Sequence, residues 1–124
     1  MVSRDDVRRI VLALPGTTED PDGSRFFVDG KQIAWPWLER IDPKRARVPN
    51  PEVIAVWVAH ESEKELLIDM DPAVFFTEPH YAGYPAILVR LPAIDPDLLR
   101  KVLTDAWRYR APRRLLESVP ADEA

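Results

Sequence analysis

Cysteine is absent from this chain of 124 residues, which removes disulfides, thiolate metal sites and a cysteine nucleophile together. The absence fits a reducing compartment. Glycine is scarce. Gly16, Gly23, Gly30 and Gly83 lie too far apart to write either a G-x-G-x-x-G turn or a Walker A loop. Histidine occurs twice, at His60 and His80, with no H-E-x-x-H or H-x-x-x-H spacing. Asp69, Asp71 and Glu78 are the carboxylates within reach in sequence. Together these residues fit neither a zinc site nor a calcium loop, so no metal and no cofactor is expected. No serine sits in a G-x-S-x-G elbow. These absences argue against a hydrolase, kinase or dehydrogenase, and a non-enzymatic chain is the expectation. An enzyme of unfamiliar type stays open as an alternative, centred on His80, Tyr81 and acidic neighbours.

Long apolar runs are missing too. The N-terminal run at residues 10–14 is too short for a signal segment or a membrane span, and Asp5-Asp6 spoils a basic leader. The expected location is cytoplasmic, with no membrane partner and a monomer favoured. No repeat and no low-complexity segment interrupts the chain. What remains is 46% apolar and 31% charged, enough for one core in a single domain, placed at residues 1–119 with a frayed tail at 120–124.

The order of elements reads α-β-β-β-α-β-β-α. Residues 3–14 predict a helix, capped by Ser3 with Asp6 three residues on. Val7, Ile10, Val11 and Leu14 make one buried stripe, and Pro15-Gly16 ends it. Residues 17–24 read as a polar loop. Residues 25–28 and 31–35 flank Asp29-Gly30, the residue pair that suits a type I′ hairpin turn. Pro36 should end the second strand or place it at an edge. Residues 38–51, with three prolines and four cations, read as a solvated connector.

Residues 52–59 (EVIAVWVA) are apolar at nearly every position and suit a central strand covered on both faces. Residues 60–70 predict a second helix, with Ser62 as cap and Leu66, Leu67 and Met70 facing inward. A short strand is expected near residues 75–77 and another at 86–91. Asp95-Pro96 opens a third helix with Leu99, Val102, Leu103 and Ala106 inward, and residues 113–119 a short fourth one. Short loops imply an α+β fold with a five-stranded antiparallel sheet and helices packed on it.

The residues that match a known family are VRRIVLALPGTTE (7–19), FFVDGKQIAW (26–35), EKELL with DPAVFFTEPHYAGYPAILVRL (71–91), and AWRYRAPRRL (106–115). With these, the chain resembles the MmcQ/YjbR family, in its actinobacterial-type branch. The resemblance implies a "double wing" domain with a five-stranded antiparallel sheet. Its members are commonly described, without proof, as DNA-binding proteins, and no catalytic residues carry across. The stretch between Glu19 and Phe26 is shorter than the family pattern.

Two surfaces then compete for function. Residues 100–114 hold six cations (Arg100, Lys101, Arg108, Arg110, Arg113, Arg114) against one acid, Asp105, in a chain of net charge −4. Arg100, Lys101, Arg108, Arg113 and Arg114 could contact nucleic-acid phosphates weakly and without sequence preference. The plainer reading is a solvated helix face, with Asp97–Lys101 an ordinary pair four residues apart. The second surface gathers Trp35, Trp37, Phe76, His80 and Tyr81, read either as a lip for a small ligand or protein partner or as ordinary packing.

Overall fold

The computed structural model describes residues 2–39 and 42–117. Helix α1 (Arg4–Leu12) starts where Ser3 leaves the extended region, and the Ser3 amide donates to the Asp6 carboxylate at 2.9 Å. That carboxylate satisfies an end-of-helix N–H, the role expected of it. The bond also draws the Asp6 pKa below the usual carboxylate range, helped by Arg9. Val7, Ile10 and Val11 are buried beneath the helix.

Among the described residues six strands form one sheet: β1 (Thr17–Glu19), β2 (Phe26–Val28), β3 (Lys31–Glu39), β4 (Val48–Trp57), β5 (Phe75–Phe76) and β6 (Ala86–Arg90). Their spatial order is β1-β2-β3-β4-β6-β5, with every neighbouring pair antiparallel. The fold is α+β with an antiparallel sheet, as the sequence implied, but the strand count is six and not five. The added strand, β1, lies in what reads as a polar loop. Its pairing to β2 is a backbone ladder that Thr and Glu side chains do not advertise. Arg8 of α1 fixes it from outside, with Nε and Nη2 donating to the two oxygens of Glu19 at 2.8 and 2.7 Å. These bonds hold the Glu19 carboxyl below its ordinary pKa.

The connector expected at residues 38–51 is corrected as well. Strand β3 runs on to Glu39 and β4 begins at Val48, with Leu38 opposite Pro49 and Glu39 opposite Val48. Pro49 and Pro51 precede Val53, where the β4–β6 ladder begins, and Pro36 is tolerated because β2 stops pairing at Phe26 opposite Ala34. Beyond that point the far side of β3 is open, and the missing N–H of Pro36 costs no ladder bond. Asp29 (φ 51°) and Gly30 (φ 76°) both take positive φ, as the type I′ turn requires.

The sheet has two covered faces. Phe26, Val28, Ile54, Val56, Phe75, Ile87 and Val89 point to the larger core, under α1 and α3 (Pro96–Arg110). A bulge leaves Ile33 without a partner on β2, so Ile33 and Ala34, adjacent in sequence, both enter that core. Helix α3 is capped as its sequence asks: Asp95 accepts from the amides of Asp97 and Leu98 at 2.9 and 3.3 Å. Fully buried Trp107 closes the layer, its Nε1 donating 2.8 Å to the Pro15 carbonyl.

Helix α2 (Glu61–Met70) departs from expectation in two ways. Its cap is His60 and not Ser62. Leu66 and Met70 are also exposed, at 69% and 58%, while Leu67 packs on the core and Lys64 is 1% exposed. The helix lies beside β5 at the sheet's end, so its inward side is set by the loop after β5 rather than by its most apolar stripe. Helix α4 (Arg113–Leu116) is shorter than expected; residues 118 and 119 of that expectation, and the tail at 120–124, lie outside the described residues. Among the described residues no helix is long and apolar enough to cross a membrane.

Candidate binding face

The second sheet face is built by alternation. Trp35 pairs across from Ala55, Ala55 from Leu88, and Leu88 from Phe76, one row running across four strands. Ala55 and Ala86 are small and fully buried, which leaves room for rings on either side. Trp35, Trp37, Trp57, Phe76 and Tyr81 pack around them. All but one of the five aromatic-surface residues marked in the sequence thus meet in one cluster, and the fifth, His80, stands exposed at its edge with its ring 5.7 Å from that of Tyr81. Trp37 and Phe76 meet edge to face at 5.4 Å. Trp35, 7% exposed, donates its Nε1 to the Tyr81 hydroxyl at 3.3 Å. That hydroxyl keeps its own proton for another acceptor.

The loop of residues 77–85 carries a short 3₁₀ turn, Pro79–Tyr81, over this face. Trp35, His80, Tyr81 and Tyr84 wall an open cleft of about 270 Å³. Its rings stand nearly upright to one another: Trp35 and Tyr84 at 88°, Tyr81 and Tyr84 at 62°. Among the described residues no carboxylate lines the cleft, and His80 and the tyrosine hydroxyls are its ionisable groups.

The basic segment is arranged differently. On α3, Lys101 and Arg108 fall about 20° apart around the axis, whereas Arg100 lies about 100° from Lys101. Lys101 pairs with Asp105 at 3.1 Å rather than with Asp97. Arg113 faces Glu117 at 3.5 Å, and Arg114 faces Asp29 in the β2–β3 turn at 3.5 Å. Arg110 turns the other way. Its guanidinium lies 3.7 Å from the Trp57 ring centroid and donates to the Gln32 carbonyl at 3.0 Å. Arg100 shares a groove of about 280 Å³ with Arg9 and Thr104, between α1 and α3. The five candidate phosphate contacts therefore spread over two helices and several directions.

The family model for YjbR matches residues 12–109. The chain belongs to the YjbR family. It is 38% identical over 128 residues to the uncharacterized protein Rv2570 of Mycobacterium tuberculosis H37Rv, covering 98% of each chain. The uncharacterized protein Mb2600 of Mycobacterium bovis stands at the same identity and coverage. No solved structure matches.

In this YjbR chain two residues of the cleft region escaped the sequence reading. Tyr84 lies three after Tyr81 in a loop of Gly and Pro, and that spacing in a turn returns both rings to one side. Lys64 is the other. Its Nζ donates to the carbonyls of Tyr81 and Tyr84 at 2.8 and 3.0 Å and lies 3.3 Å from the Glu61 carboxylate. Set among Glu61, Glu63 and Glu65, it looks in sequence like any surface lysine. Glu63 itself holds the Tyr109 hydroxyl at 2.9 Å, and that bond, with burial and the carboxylate's charge, pushes the phenol pKa up to about 12.

Proposed function

We propose that this YjbR-family chain is a non-enzymatic binding domain whose working surface is the aromatic face of its sheet, taking a small planar group in the cleft of Trp35, His80, Tyr81 and Tyr84. One observation carries the reading. Four aromatic rings converge there around an open space of about 270 Å³, with the Tyr81 hydroxyl and His80 as polar handles. Ring faces beside a few placed polar groups are what a small planar ligand needs, and this cleft exposes as much polar as apolar lining, at the small end of ligand-site volumes. The test is a titration of ¹⁵N-labelled protein with indole and p-cresol, following the Trp35 indole N–H. It should shift, with little dependence on salt. An unmoved signal at about 10 mM of either compound, a concentration that reaches even weak fragment affinities, overturns the reading.

A second reading is weak contact with DNA backbones through Arg100, Lys101, Arg108, Arg113 and Arg114. It is favoured by the +5 charge of residues 100–114 and by Arg9 and Arg100 sharing one groove. Against it stand the acidic partners of Lys101, Arg113 and Arg114 and the chain's net charge of −4. Fluorescence anisotropy with short duplex and single-stranded DNA at low salt separates the two. Phosphate contact gives binding that weakens steeply with salt; none at about 100 μM protein removes it.

A further inference from the structure

We propose that Lys64 is the positioning residue of the aromatic cleft: its ammonium, reaching up from α2, latches the loop of residues 77–85 in the shape that sets Tyr81 and Tyr84 against Trp35. The proposal rests on the reading of that cleft as the binding surface, and its geometry stands apart from it. An ammonium has three N–H donors, and three oxygens lie within 3.3 Å of this one: the carbonyls of Tyr81 and Tyr84 and the carboxylate of Glu61. A buried charge persists only where it is paired and hydrogen-bonded, and Lys64 meets both conditions.

The two carbonyls belong to the two tyrosines that wall the cleft. They also bracket the turn between them, where the Tyr84 amide donates to the Tyr81 carbonyl at 3.0 Å. Phe76 and Ala86 tie the ends of the loop to the sheet. Its middle holds Pro79, Gly83 and Pro85 and contributes Tyr81 to the apolar packing. The Trp35 indole on the Tyr81 hydroxyl, the Val58 amide on the Pro85 carbonyl and the Arg47–Glu78 pair also touch the loop, but Lys64 is the side chain that holds the backbone of both tyrosines at once. An arginine or glutamine here would alter ring placement without touching a ring.

Hydrogen–deuterium exchange on Lys64→Met, which keeps an unbranched apolar stem and removes the donors, tests the latch. The amides of Tyr81, Ala82 and Tyr84 should exchange about tenfold faster or more, the scale set by losing hydrogen bonds to a charged group. Those of Ile87, Leu88 and Val89 should hold within about twofold, since they belong to the central ladder. Indole affinity should fall in parallel. If the loop amides keep their rates, or loop and strands accelerate together, Lys64 is not a latch. If the loop loosens and the parent chain binds no indole, the latch stands and the ligand reading fails. Should Lys64→Met not fold, ¹⁵N NMR of the unaltered protein decides: a latched ammonium gives a slowly exchanging Nζ signal coupled to the Tyr81 and Tyr84 carbonyls, and its absence in cold, mildly acidic buffer overturns the proposal.

Discussion

Trp107→Phe should destabilise the protein by about 2–5 kcal/mol. The indole is fully buried, and its Nε1 reaches the Pro15 carbonyl, joining residues 92 apart in sequence. Two losses add. Shrinking a fully packed ring system leaves unfilled space in an interior that relaxes only in part, for roughly 1–2 kcal/mol at this change of size. The Pro15 carbonyl then loses its donor, and leaving a sheltered acceptor unsatisfied costs about 1–3 kcal/mol. A domain of this length holds on the order of 5–15 kcal/mol in total, so the fraction is large. Urea unfolding followed by circular dichroism reads it. With an m-value of about 2 kcal/mol/M, the midpoint should drop by about 1–2.5 M at constant slope. A drop under about 0.3 M would refute the reasoning, because it would mean that water or a neighbour replaces the indole N–H at no cost.

Three further outcomes are expected. Tyr109 should ionise in an absorbance titration only near its raised pKa of about 12, and Glu63→Gln should return it toward the ordinary phenol value. Because the folded value is raised, the stability it contributes is present below the unfolded phenol pKa of about 10 and is lost as pH climbs through 12. Ala55→Leu should destabilise by about 1–3 kcal/mol in the same urea assay, since the side chain must enter a filled row between Trp35 and Leu88. Gly16→Ala should cost about 1–2 kcal/mol, because Gly16 sits at φ 71° and an added Cβ would collide with the Leu115 side chain; an unchanged melting temperature would count against the placement of α4.

How much of this was legible depended on the kind of signal. Helices α1 and α3 carry apolar residues at helical spacing after strong punctuation, Ser3 for one and Asp95-Pro96 for the other, so their starts and buried sides can be read directly, while α1 stops at Leu12, short of the expected end at Leu14. The Asp29-Gly30 turn is readable for the same reason: few residues adopt positive φ. Strand β1 and the outer half of the β3–β4 hairpin are not, because backbone pairing makes them while their side chains are polar, proline or, as at Leu38 and Val48, apolar but exposed, with no alternating buried face. The family was legible from the spread of matching segments. For the binding face, the sequence marks Trp35, Trp37, Phe76, His80 and Tyr81, and the fold gathers them around one sheet face. It hides Lys64, whose burial is decided by a loop 17 residues away. In α2, apolar spacing points to Leu66 and Met70, yet the neighbouring loop offers carbonyls, and those select a lysine.

Strands β4 and β6 are neighbours in space although α2 and β5 separate them along the chain. Five residue pairs, from Val53 opposite Arg90 to Trp57 opposite Ala86, make that seam. Everything on one side of it is a run of consecutive hairpins that can zip locally. Closing the seam requires the chain to fold back across about thirty intervening residues, an entropic step that grows slowly with loop length and comes late. Until it happens, the apolar inner half of β4, from Val53 to Trp57, presents a bare edge to its surroundings. The same edge in a second chain's partly folded form would accept β6 just as well, so slow refolding at high concentration is where exchanged, intertwined dimers should be sought.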